Sequence, residues 1–214
     1  MRREGRDSAP TALGRALPAE RGDGQVLNIN EMFWSIEGEG VRVGEPTFFI
    51  RLAGCNLRCL FCDTEFDSFE EMTVDEIVDG IRPRDIAWVC ITGGEPLRQN
   101  ILPLCQALLE NYHRVHIETN GTIDPDPRLY EYIGHWTVSP KTQSIAAGLT
   151  YITELKYVVG KGFREDFVED FRAEYVYLQP ESSKPEHNQR VIDILRRHPD
   201  WRISCRIHEV LDVQ

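Results

Sequence analysis

Apolar residues recur along this chain in short runs separated by loops rich in glycine, proline and small polar residues. Residues 26–33 partly alternate apolar and polar side chains and predict a strand. Residues 47–52 read as a buried strand. Thr73-Val74-Asp75-Glu76 has the T-x-x-E form of a capping box and opens a helix through Ile81. Further strands are predicted over 85–91, 115–118, 136–138, 154–159 and 175–178. Helices are predicted over 100–112, 163–171 and 185–197, the last with Val191, Ile192 and Leu195 on one face. Residues 202–214 read as a short strand and a mixed tail. Residues 1–25 lack any apolar period and read as a mobile tail, leaving one domain over 26–214.

Strand, loop and helix recur about six times, which predicts a parallel sheet with helices outside. A closed eight-unit barrel takes about 250 residues. The expectation for these 214 residues is therefore an α/β fold, a partial, open parallel β/α barrel of about six strands. The chemistry-bearing residues fall after strands, where parallel α/β folds gather their active sites.

Composition narrows the class. With 35 acidic and 24 basic residues the formal net charge is -11, which argues against binding nucleic acid or an anionic membrane. No apolar run approaches a membrane span, and the basic start lacks the apolar core of a secretory signal. Six cysteines are too few for a disulfide scaffold, and the cytoplasm is the expected compartment.

Three of those cysteines, Cys55, Cys59 and Cys62, sit in a C-x3-C-x2-C loop directly after a predicted strand. Three thiolates can hold three irons of a [4Fe–4S] cluster and leave the fourth open to a small molecule. The same triplet with a histidine could form a structural zinc site. Gly93-Gly94-Glu95-Pro96 after the next strand is a feature that a zinc module does not need.

Together, C-x3-C-x2-C and Gly-Gly-Glu-Pro resemble the radical S-adenosylmethionine (SAM) superfamily. Six further stretches narrow the resemblance to one family: Ser35-Ile36-Glu37-Gly38-Glu39-Gly40, Arg51, Cys62-Asp63-Thr64, Glu118 to Gly121, Ser139-Pro140-Lys141 and Gln179-Pro180. That family is 7-carboxy-7-deazaguanine synthase. The resemblance implies that Cys55, Cys59 and Cys62 ligate the cluster and that Thr64 ligates Mg²⁺. It implies SAM contacts from Phe61, Cys62, Asp63, Gly94, Glu118, Ser139, Pro140, Lys141, Gln179, Pro180, Glu181 and Ser182. It assigns the pterin to Ile36, Glu37, Gly38, Arg51, Thr92, His208 and the terminal Gln214. The implied reaction converts 6-carboxy-5,6,7,8-tetrahydropterin to 7-carboxy-7-deazaguanine with loss of ammonia, on the route to queuosine and other 7-deazapurines. A flavodoxin or ferredoxin reductant and a homodimer are implied with it. The family pattern has glutamine where this chain has Glu37 and Arg206.

Two other classes share part of this pattern: an activase that makes a glycyl radical on a partner protein, and a cluster- or zinc-binding regulatory module. Elsewhere, Cys90, Cys105 and Cys205 read as buried apolar residues, and His116 as a hydrogen-bonded core histidine. His113, His135, His187 and His198 read as surface or capping residues. Lys156, in a predicted strand, could face either the interior or solvent.

Overall fold

The computed structural model describes residues 22–213 except 60, 61, 63, 64, 84, 161, 169, 170 and 183. A single sheet of nine strands runs through it in the order β3-β1-β2-β4-β5-β6-β7-β8-β9. β1 (Val26–Ile36) pairs antiparallel with β2 (Pro46–Leu52) on one side and β3 (Glu70–Thr73) on the other. From β2 onward every pairing is parallel, through β4 (Trp88–Gly93), β5 (Arg114–Thr119), β6 (Ile133–Val138), β7 (Glu154–Val159), β8 (Tyr175–Pro180) and the two-residue β9 (Arg202–Ile203). The order is linear, so the sheet is open. The six long parallel strands are the expected partial barrel, and β1 and β3 extend it as an antiparallel edge.

Alternation along each parallel strand divides the sheet into two unlike faces. Ile50, Leu52, Val89, Ile91, Val115, Ile117, Trp136, Leu155 and Leu178 are buried on one face. They pack with α1 (Val74–Gly80), α2 (Leu102–Glu110) and α3 (Pro185–Leu195) into one core. The predicted capping box closes α1: Glu76 N–H donates to Thr73 Oγ1, and Thr73 N–H to Glu76 Oε2 at 2.8 Å. The other face carries Arg51, Cys90, Thr92, His116, Glu118, Thr137, Glu154, Lys156 and Gln179. Its polar side chains are buried too, because the loop after β1 lies across it.

Three expectations are corrected. Among the described residues of 163–171 the helical piece is a 3₁₀ turn, Glu165–Phe167. Phe163 and Val168 are both buried, and five-residue spacing would place them about 140° apart on a helix. No helix joins β5 to β6, where Pro125 and Pro127 bracket a turn into a 3₁₀ segment, Pro127–Glu131, or β6 to β7. The C-terminal tail contains a helix after β9, α4 (Ile207–Leu211).

Residues 1–21 of the expected tail lie outside the described residues. Gly22 to Gln25 are anchored: Asn100 Nδ2 donates to the carbonyls of Gly22 and Asp23, and Val74 N–H to that of Gln25. Among the described residues no helix is long and apolar enough to cross a membrane.

Candidate active site

One cavity of about 800 Å³ opens at the C-terminal ends of the parallel strands. Cys55, Cys59 and Cys62 line it, as do Ile36, Glu37, Gly38, Arg51, Thr92, Gly94, Glu118, Ser139, Lys141, Gln179, Glu181 and His208. Pro140, Pro180 and Ser182 lie beside the cavity without lining it, and Ser182 Oγ bonds His187 Nδ1 at 3.0 Å instead. Phe61, Asp63, Thr64 and Gln214 fall outside the described residues.

The cysteine loop is held from behind by buried amides and a buried acid. Leu57 N–H donates to Cys55 Sγ at 3.4 Å. Asn120 Nδ2 donates to Asn56 Oδ1 at 3.0 Å and reaches Cys55 Sγ at 3.9 Å. Asn120 is fixed in turn by Glu95, whose carboxylate accepts from Asn120 N–H and the Thr119 hydroxyl at 2.7 Å each, and from Leu97 N–H at 3.0 Å. Burial pushes the Glu95 carboxyl up, against the pull of these donors. Glycine at 94 is required by packing as well as by ligand access: a Cβ there would lie 2.1 Å from the Gly54 carbonyl oxygen.

Burial raises the thiol pKa of Cys55 and Cys59. Among the described residues, the groups whose ligand atoms fall within 4.8 Å of one another do not include the three cysteines. A tetrahedral zinc with sulfur at about 2.3 Å needs sulfurs roughly 3.8 Å apart. The triplet therefore fits a larger cluster better than a single ion.

The substrate loop after β1 makes the opposite wall. Ile207 N–H donates to the Gly38 carbonyl, and a Cβ on Gly38 would meet His208 Nδ1, so α4 and the loop pack face to face. Glu37 is buried; its Oε1 accepts from Glu39 N–H at 3.2 Å. Its Oε2 lies 3.3 Å from His116 Nδ1 and 3.8 Å from Arg42 Nη1. Of these two only Arg42 offers the carboxylate a cation, and Oε2 has no hydrogen-bond partner among the described residues. Arg206 pairs with Glu209 at 2.8 Å within α4. Arg51 Nε donates to Glu31 Oε1 at 2.6 Å, and its guanidinium sits near Phe33, which stacks on Phe49.

Two residues stand closer to the centre than the sequence showed. Lys156 is buried, ion-paired with Glu39 and 2.8 Å from Glu118 Oε1. Glu118 Oε2 accepts from Thr92 Oγ1 at 3.0 Å, which ties Glu118 to the residues expected to bind the pterin. The neighbouring motif Ser-Ile-Glu-Gly-Glu-Gly was a signal for Glu39. For Lys156 the signal was the alternation Glu154-Leu155-Lys156, which puts it on the same face as Glu154.

Beneath the cavity lies a second polar layer. Arg42 Nη1 can only donate, so His116 Nδ1 accepts from it at 2.9 Å and Nε2 carries the hydrogen. His116 Nε2 donates to Thr137 Oγ1 at 2.8 Å, which donates to Glu154 Oε1 at 2.7 Å. Glu154 Oε2 accepts from Val41 N–H at 2.8 Å and holds the substrate loop. His116 is thus the expected satisfied core histidine. His113 and His135 are buried rather than superficial: His113 Nδ1 bonds the Ile86 carbonyl at 2.7 Å, and His135 packs edge-on against His116 and Trp88. Cys90 and Cys105 are buried as expected, whereas Cys205 is exposed, beyond the end of β9.

The Radical SAM superfamily pattern matches residues 49–139, the span from β2 to the end of β6. A 7-carboxy-7-deazaguanine synthase of Bacteroides thetaiotaomicron is 39% identical over 87% of this chain and 98% of its own length. The protein of that name from Aquifex aeolicus is 35% identical over 88% of this chain and 95% of its own. The crystal structure of QueE from Escherichia coli superposes with a TM-score of 0.70 at 28% identity, covering 85% of this chain and 96% of that one. With relatives this similar over nearly their whole length, the chain belongs to the 7-carboxy-7-deazaguanine synthase family of the radical SAM superfamily.

Proposed function

We propose that this protein converts 6-carboxy-5,6,7,8-tetrahydropterin to 7-carboxy-7-deazaguanine with loss of ammonia, as a radical SAM lyase of queuosine and 7-deazapurine biosynthesis. The observation that carries the reading is the convergence of Cys55, Cys59 and Cys62 with Arg51, Thr92 and His208 on one cavity. Cys55, Cys59 and Cys62 would hold a [4Fe–4S] cluster. When bound, the cluster and SAM supply one-electron bond cleavage and hydrogen abstraction.

The chain's own residues bind, orient and shield. Gly94, Ser139, Lys141, Gln179 and Glu181 line the same cavity as the cysteines and would hold SAM, with Phe61, Asp63, Pro140, Pro180 and Ser182 in support. Lys141 donates to Ser139 Oγ at 2.6 Å, and burial lowers its pKa with Lys156 adding to the effect. Ile36 to Gly38 and Thr92 would hold the pterin ring; Glu118, which the resemblance assigns to SAM, accepts from Thr92 and would reach the pterin with it. Arg51, His208 and Gln214 would fix its polar edge, with Thr64 holding Mg²⁺ against the substrate carboxylate. Phe33 and Phe49 keep this end of the cavity apolar. The cytoplasm, a homodimer and a flavodoxin or ferredoxin reductant complete the proposal.

Anaerobic reconstitution with reductant, SAM, Mg²⁺ and carboxytetrahydropterin tests the reading, with nucleosides and purines resolved by chromatography. The deazapurine should appear only when the pterin is present. 5′-Deoxyadenosine without a deazapurine would reject the reaction and keep the superfamily.

A further inference from the structure

At the centre of the cavity floor one ammonium ties together elements far apart in the chain. Lys156 on β7 donates to Glu118 of β5 at 2.8 Å and pairs with Glu39 of the loop after β1. Each carboxylate has one oxygen left for a neutral donor. Glu118 Oε2 takes Thr92 of β4 at 3.0 Å, and Glu39 Oε1 takes Gln179 of β8 at 3.1 Å. Five segments are thereby joined across the open face of the sheet through a single charge. β5 and β7 are not neighbours in the sheet, since β6 lies between them, so the ion pair spans a strand.

Burial alone would strip the proton from Lys156, yet Glu118 and Glu39 reverse that and hold its pKa well above the ordinary value. In the opposite sense, Lys156, with the Thr92 hydroxyl, keeps Glu118 well below the ordinary carboxylate range despite its burial. A buried ion group is poor value as a mere staple, because apolar side chains of similar volume often hold a fold as well. What apolar packing cannot do is present two ionised carboxylates to a cavity at fixed positions.

We propose that Lys156 is a positioning residue for substrate. It holds the Glu39 and Glu118 carboxylates in register, and through Glu39 it clasps the loop after β1 across the open side of the sheet. The proposal rests on the reading of this cavity as the pterin site. Lys156 acts through the carboxylates and not on the reacting atoms, so its loss should fall on substrate binding.

The test compares K156M and K156R with the unaltered protein after anaerobic reconstitution. K156M keeps the length of the side chain and removes the charge, leaving two carboxylates facing each other without a cation. It should load iron and sulfide normally and show the same change in the spectrum of the reduced cluster when SAM is added. Its KM for the pterin should rise about tenfold or more with kcat within about threefold, since the interaction lost is one of binding. K156R should recover most of that loss. Should K156M fail to fold, K156Q, which can still donate to one carboxylate, carries the same comparison. A pterin KM within twofold of the unaltered protein would overturn the proposal. So would a parallel loss of SAM binding, or an Arg variant no better than Met. If the unaltered protein makes no deazapurine, the functional reading itself fails. Turnover by the unaltered protein with unchanged K156M binding refutes only the role of Lys156.

Discussion

Glu95 offers the sharpest energetic prediction, because its carboxylate is fully buried and every donor to it is known. Oε1 accepts from Thr119 Oγ1 and Leu97 N–H, and Oε2 from Asn120 N–H alone. In Glu95→Gln the amide oxygen keeps the place with two donors, so the new NH₂ group faces the Asn120 N–H. One charge-assisted hydrogen bond is lost, about 1.5–3 kcal/mol, and relief of the buried charge returns part of it. The net cost should be about 2 kcal/mol, which at a urea slope near 2 kcal/mol/M lowers the unfolding midpoint by roughly 1 M. The effect should also reach the cysteine loop, since the displaced Asn120 is the partner of Asn56 and Cys55. Urea unfolding followed by circular dichroism at neutral pH, beside iron and sulfide analysis after reconstitution, measures both. A midpoint shift below about 0.3 M, with full cluster content, would refute the reasoning that Glu95 organises this loop.

Three further substitutions probe other joints. Gly94→Ala places a methyl 2.1 Å from the Gly54 carbonyl oxygen and must push the cysteine loop aside. SAM affinity, read from the spectrum of the reduced cluster, should fall about a hundredfold for a displacement near 1 Å; an unchanged titration would contradict this. Arg42 is buried over Trp88 and bonds His116, Thr47 and Glu45, so Arg42→Met should cost about 3 kcal/mol in denaturant unfolding, and a cost under about 1 would show the pair to be dispensable. Burial by itself raises the Glu154 carboxyl, but His135, Lys156, Val41 N–H and Thr137 overcome it and hold the pKa below the ordinary value. A depressed acid stabilises the fold above its unfolded pKa, about 4.3, and that stability is lost as pH falls through the folded value. Glu154→Gln should therefore flatten the decline of the urea midpoint below about pH 4.5, and an unchanged acid slope would count against the assignment.

Much of this architecture can be read from the residues. The strand at 154–159 has the bounds of β7, and the capping box at Thr73 forms as its spacing requires. The cysteine triplet and Thr92 to Pro96 are legible because each is continuous in sequence and follows a strand. What stays hidden is long-range. Lys156 and Glu154 alternate with apolar residues, a pattern that ordinarily sends polar side chains to solvent. Here both are buried, because a loop more than a hundred residues earlier covers their face of the sheet, and no local pattern records that. His135 was misjudged for the same reason: its place at the start of β6 suggested a surface, yet Trp88 and His116 close over it. The C-terminal helix was missed because five residues are too few to show a period, and its contact with Gly38 is tertiary.

Conversion of the pterin in this cavity is tested by following every product of one reaction together. The reconstituted, reduced protein is incubated with SAM, Mg²⁺ and carboxytetrahydropterin, and pterin, purine and ammonia are quantified together. One 7-carboxy-7-deazaguanine and one ammonia should form for each pterin consumed, and Cys59→Ala should abolish both. Pterin left intact while the cluster is loaded and SAM is cleaved would contradict the claim.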